Sequence, residues 1–130
     1  MEFLTRYTNR VYSGLRIVTG LMFACHGLQK VFGILSVHPQ PELFSQLWIG
    51  GVIELVAGTL VAIGFKTRYA AFLSSGTMAV AYIQFHWKFQ FGSQFFPVIN
   101  HGELALLYSI LFLYIACYGS GDCAVETKQN

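Results

Sequence analysis

The sequence is short of charge: only 11% of its 130 residues are Asp, Glu, Lys or Arg. A soluble domain of average composition carries roughly 25%, so an ordinary water-facing surface is excluded. The eight basic residues are scattered and leave a net charge of +2. Without a clustered Lys/Arg stripe nothing is present to track a phosphate backbone, and nucleic acid is not an expected partner. Cysteine is sparse too. Cys25, Cys117 and Cys123 are an odd number, with no CxxC and no Cys/His spacing, which argues against zinc, iron-sulfur and thioredoxin-like sites; no metal is expected. Glycine fingerprints for flavin or nicotinamide and the haem-attachment CxxCH are missing as well, so no intrinsic cofactor is expected. Electron transfer through this chain would need a bound carrier or a partner subunit.

Apolar residues are abundant: 55% of the chain is hydrophobic and its mean hydropathy is +0.54. The long segments are apolar all round, where a soluble bundle would alternate apolar and charged faces. They predict an all-α integral membrane protein, an up-down-up-down four-helix bundle in a single domain over residues 1–130. The expected spans are about 11–32, 47–65, 69–87 and 97–118. Gly33 through Ser45, with Pro39 and Pro41, separates the first two. Lys66-Thr67-Arg68 is a tight turn that makes a hairpin of the second and third, and Lys88 through Phe96 joins the last two. Pro97 suits the first turn of a helix, where its missing N–H is no loss. The small residues Gly50, Gly51, Gly58, Ser74, Ser75 and Gly76 are expected to let the hairpin helices approach closely. Tyr7, Tyr12, Trp48, Tyr69, Trp87 and Tyr118 read as interfacial anchors.

Positive charge sets orientation. Arg6, Arg10, Lys66, Arg68 and Lys128 fall on one side, against Lys30 and Lys88 on the other, which predicts that both termini of this multi-pass chain are cytoplasmic. A cleaved signal ending near Ala24-Cys25 is disfavoured, because Arg16 interrupts the apolar run and the run continues past Cys25.

Ionisable groups inside a span cost at least roughly 2.5–3.5 kcal/mol each on insertion scales, so Arg16, His26, Lys30, Glu54 and Glu103 need partners or a cavity. At 1.5 Å per residue, His26, Glu54 and Glu103 lie about 9–10 Å below the outer ends of three different helices. Arg16, His26 and Lys30 share one face of the first helix, and Asn100 and Glu103 share a face of the fourth. Two readings stand side by side. In one, Arg16, Lys30, Glu54 and Glu103 are buried ion pairs that fix helix register. In the other, Arg16, His26, Lys30, Glu54, Asn100 and Glu103 form a ligand-binding pocket in which a histidine, the side chain that exchanges protons near neutral pH, serves proton transfer. His86 is expected to point away from this cluster, and His38 and His101 to be loop or interface residues.

Three motifs in order carry a family likeness: Arg16 followed by His26-Gly27-Leu28-Gln29-Lys30; Glu54-Leu55-Val56-Ala57-Gly58 followed by Gly64-Phe65-Lys66-Thr67-Arg68-Tyr69-Ala70-Ala71; and Asn100-His101-Gly102-Glu103 running to Tyr108. In these the chain resembles the DoxX family of small four-helix bacterial membrane proteins. Gly119-Ser120-Gly121 through Glu126 is similar to the family's short closing segment, with glutamate in place of the usual aspartate. The resemblance implies an inner-membrane location and a polar core at these positions. Because some such proteins are subunits of thiosulfate:quinone oxidoreductase, it also implies a membrane subunit of an oxidoreductase system whose pocket takes a quinone or a small sulfur oxyanion. A catalytic residue is not assignable. Expected partners are the lipid bilayer, oxidoreductase subunits and a second copy of the chain; a solute or proton transporter and an assembly module are the alternatives.

Overall fold

A computed structural model describes residues 1–126, all of whose regular structure is helical. Lys128, counted above on the basic side, lies outside the described residues. After a 3-10 turn at Glu2–Tyr7, helix α1 runs Thr8–Phe32, α2 Gln46–Ile63 and α3 Thr67–Ala81. Helix α3 continues as a π-helical turn, Tyr82–Trp87, and after the loop come α4, Pro97–Asn100, and α5, Glu103–Tyr118. Ser45 caps α2 by accepting the N–H of Trp48 at 3.2 Å, and Pro97 opens α4. Among the described residues, Glu2–Phe32 and Gln46–Ile63 are long and apolar enough to cross a membrane; Glu103–Tyr118 is apolar but shorter.

The expected fourth span is broken in two. Asn100 ends α4 and His101 takes a left-handed conformation with φ 58°, while the Asn100 carboxamide oxygen accepts the N–H of Gly102 at 2.8 Å. An Asn side chain that bonds the backbone two residues on offers the chain a turn instead of helix, and Gly102 permits it.

Close helix contact falls elsewhere than expected. Gly51 and Gly58 of α2 face α1, not α3: a Cβ on Gly58 would lie 2.6 Å from Ala24 N, and one on Gly20 2.6 Å from Gly58 O. Gly27 meets Leu55 and Gly51 in the same way. The pairing of 20 with 58–62 and 27 with 51–55 makes α1 and α2 antiparallel, backbone against backbone. Helix α3 packs along α5 through Ser75, which donates to the Ser109 carbonyl at 2.8 Å. Between these pairs sits a core that includes Phe23, Val61, Ala71, Met78, Phe112 and Ile115. Tyr12 belongs to it too: it is no interfacial anchor but packs on Tyr118, ring centroids 3.9 Å apart, and donates to the Gly119 carbonyl at 2.5 Å.

The tail 119–126 folds back over the end of the helices where α2 turns into α3. Val125 and Glu126 donate their backbone N–H groups to the carbonyls of Ile63 and Gly64, both at 3.0 Å. The Glu126 carboxylate in turn accepts the N–H groups of Lys66 at 2.8 Å and Thr67 at 3.3 Å, a negative charge on the first turn of α3. Glu126→Ala is expected to cost about 0.5–2 kcal/mol, the ordinary loss for a helix N-cap, and to free the tail for proteolysis at unchanged α1–α2 packing. A tail cleaved no faster than wild type in limited proteolysis would contradict this.

Candidate functional site

The polar residues expected to meet divide into two groups. His26 and Lys30 of α1 and Glu54 of α2 come together in the wall of one cavity of about 530 Å³. Their positions on unbroken helices carry them there: His26 and Lys30 are four apart on α1, and Gly51, one turn before Glu54, lets the Lys30 stem lie against the α2 backbone. Lys30 Nζ donates to Glu54 Oε1 at 2.5 Å, with the lysine side chain 32% and the glutamate 2% exposed.

The other expected members lie elsewhere. Arg16 is fully buried, at 0% exposure, at the opposite end of the bundle. It donates to the carbonyls of Val61 at 2.6 Å and Ala62 at 2.7 Å, and to those of Asp122 at 3.3 Å and Cys123 at 2.8 Å. Its planar fork thereby adds a second donor to the Val61 carbonyl, which also accepts the Gly64 N–H at 3.2 Å, satisfies that of Ala62, and ties the end of α2 to the tail. Asn100 is buried but spends its amide on the α4–α5 turn and the Gln94 carbonyl. Glu103 is exposed and outside the cavity wall. It opens a new helix, so the phase expected for a span continuous from Pro97 does not hold. The array of Arg16, Lys30, Glu54 and Glu103 thus reduces, among the described residues, to one ion pair, Lys30–Glu54.

Two histidines expected to lie outside the site stand in its wall: His86 and His101. The reason is irregular backbone. From Tyr82 to Trp87 the chain winds as a π-helix, with the Lys88 N–H bonded to the Ile83 carbonyl at 2.8 Å. This wider turn rotates His86 out of the phase of a continued α-helix and brings its Nδ1 3.3 Å from the Asn100 carbonyl. π-turns of this kind are rare and concentrate at functional sites. His101 is set by the break after Asn100. At the cavity's outer edge Gln46 donates its amide to Gln84, joining α2 to the π-turn.

The remaining wall is apolar: Phe23, Ile53, Met78, Phe85, Leu104 and Ala105 among others. Tyr108 completes it from α5, its ring 6.4 Å from that of His26 in an edge-on arrangement. Tyr108 closes the third family motif but was assigned no role of its own, although Leu104, Ala105 and Tyr108 recur at the one-face spacing of a helix. Two oxygens in this wall are buried and lack any hydrogen-bond partner: Glu54 Oε2 and Tyr108 Oη. Gly50 and Gly76 also line the cavity, and a Cβ at either would meet nothing within 4 Å.

Such a site holds one neutralised charge pair, three imidazoles and two unsatisfied oxygens in an apolar chamber; among the described residues no cluster of His, Cys, Asp or Glu is disposed to hold a metal ion. Comparison with known proteins agrees with the motifs. The DoxX family profile matches residues 12–87. An uncharacterized protein of Haemophilus influenzae is 42% identical over 131 aligned positions, covering 98% of this chain and 97% of the relative. The "Putative oxidoreductase CatD" of Bacillus subtilis is 27% identical, covering 86% of this chain and 81% of its own. No solved structure matches. With the family profile covering most of α1 to the end of the π-turn, and with a full-length relative at this identity, the chain belongs to the DoxX family.

Proposed function

We propose that this chain is a multi-pass protein of the inner membrane, an up-down-up-down bundle of four helical spans with both termini cytoplasmic, and that it serves an oxidoreductase system as a membrane subunit binding a quinone in the Lys30–Glu54 cavity. One observation carries the binding reading: an ion pair with a buried carboxylate and unsatisfied oxygens beside it sits in an apolar chamber within the ordinary volume range of small-molecule sites. A pair kept for helix register alone would not need a chamber around it. Outward-facing Val11, Val18, Leu21, Tyr69, Phe72 and Leu107 are all exposed, an apolar exterior that suits lipid. Arg6, Arg10, Lys66 and Arg68 gather at the end where α1 begins and α2 meets α3, which favours that end as cytoplasmic. The Bacillus subtilis relative carries an oxidoreductase name, which supports the oxidoreductase context.

A quinone suits the chamber better than a sulfur oxyanion. Lys30 is already neutralised by Glu54 and Arg16 is spent on four carbonyls, so an anion would meet a carboxylate without a spare cation. Native mass spectrometry of protein extracted with its lipids tests the reading, wild type beside the double variant Lys30→Met, Glu54→Leu, which removes both polar partners and leaves the wall apolar. The expected result is a quinone carried by the wild type and lost from a variant of near-native melting temperature. Wild-type protein that carries no quinone, and copurifies instead with another subunit, would overturn binding in favour of an assembly role.

A further inference from the structure

The two oxygens without partners say what kind of ligand completes the cavity. Glu54 is 2% exposed and Tyr108 6%, yet Glu54 Oε2 and Tyr108 Oη have no hydrogen-bond partner. A buried polar group left unsatisfied costs about 1–3 kcal/mol, more when charged, so a molecule that satisfied both would recover a large part of that. A carboxylate oxygen only accepts; a phenol both gives and takes. Whatever meets Glu54 Oε2 must therefore donate.

Charge narrows the class further. Lys30 holds the other oxygen of the same carboxylate at 2.5 Å, so a cationic donor would be repelled by an ammonium across one carboxyl group, and an anion would face the carboxylate itself. Phe23, Phe85 and Met78 supply flat or polarisable apolar walls. A neutral ring bearing hydroxyl groups fits all three conditions.

We propose, resting on the reading of this cavity as a quinone site, that it selects the reduced, hydroxyl-bearing form of its ring ligand, which donates one O–H to Glu54 Oε2 and makes its second polar contact with Tyr108 Oη. The oxidised form has only acceptors to offer. It would set a carbonyl oxygen against a carboxylate oxygen, leaving Glu54 unsatisfied and adding repulsion. Tyr108 can donate to either form, so it adds affinity without choosing between them, and selection rests on Glu54.

The test uses full-length protein in lipid nanodiscs under anaerobic conditions, with three probes of one shape: naphthohydroquinone, naphthoquinone and the dimethyl ether of the hydroquinone. Binding is read against protein-free nanodiscs. The hydroquinone is expected to bind at least about tenfold tighter than the other two, since a site built to accept a hydrogen bond discriminates strongly against an analogue that cannot give one. In Glu54→Gln, whose amide donates as well as accepts, the gap between hydroquinone and quinone should close. Tyr108→Phe removes one oxygen and nothing else from the wall; it should weaken both forms and preserve the gap. Equal wild-type binding of hydroquinone and quinone overturns the selection and leaves the ring-ligand reading intact. If none of the three binds, both fall.

Discussion

Replacing Gly58 with leucine is expected to abolish recovery of folded protein. A Cβ there would stand 2.6 Å from Ala24 N and 2.8 Å from Gly20 O, contacts no Cβ tolerates. The neighbours are backbone, so no side chain can swing aside. Helix α1 would have to withdraw along its length, parting Gly20 from Ala62 and Gly27 from Leu55, and with them the Lys30 stem from Gly51. Overpacking a core ordinarily costs about 1–3 kcal/mol; a clash on main chain across the most intimate helix pair belongs at or beyond the top of that range. Gly14→Leu is the control, since a Cβ at Gly14 meets nothing within 4 Å. Size-exclusion profiles after graded heating would show the difference, and a Gly58→Leu protein that stays monodisperse and melts with the wild type would refute the interface.

The second large effect separates the structural role of Lys30–Glu54 from its binding role. Lys30→Met leaves a carboxylate at 2% exposure without its counter-ion. Breaking one partner of a buried pair costs about 3–5 kcal/mol, and the low end applies because the lysine side chain is 32% exposed. The double variant Lys30→Met, Glu54→Leu removes both charges and fills the space with apolar groups, a replacement that is neutral or stabilising in other buried pairs. It is expected to regain most of the lost stability while binding no quinone or hydroquinone. Denaturation in detergent measures the first and nanodisc binding the second. Single and double variants of equal instability would show that the two charges are not coupled. A double variant that still binds the probes would remove the pair from the site.

How far the site could be read from the chain depended on backbone regularity. His26, Lys30 and Glu54 sit on unbroken helices, so depth and face followed from 1.5 Å and 100° per residue. Glu103 and His86 were misplaced for one reason: Glu103 lies just past an irregularity, the turn at His101-Gly102, and His86 lies within another, the π-turn at Tyr82–Trp87, where that arithmetic loses phase. Neither irregularity has a strong local signal, because the Asn100 carboxamide commits itself only in a folded context. Arg16 failed differently. Its partners, Val61, Ala62, Asp122 and Cys123, are carbonyls of a helix end and a distant tail, and any residue presents a carbonyl. The hairpin turn at Lys66 was legible from its basic residues and short length, but the destination of the small residues beside it was not: spacing reveals that Gly51 and Gly58 share a face, not which neighbour that face meets.

The folded-back tail also imposes an order of events on synthesis. Arg16 leaves the ribosome early and is surrounded by α2 soon after, yet half of its carbonyl partners belong to Asp122 and Cys123, and the opening N–H groups of α3 wait for Glu126. Helices α1, α2 and α3 therefore reach their places with one end of the assembly still unsealed. A nascent chain halted after Tyr118 would have every long helix and the whole cavity wall, but would hold a buried guanidinium with half its acceptors missing. Segment 119–126 is what closes this end of the helices, and until it emerges the surroundings of Arg16 and the first turn of α3 stay open.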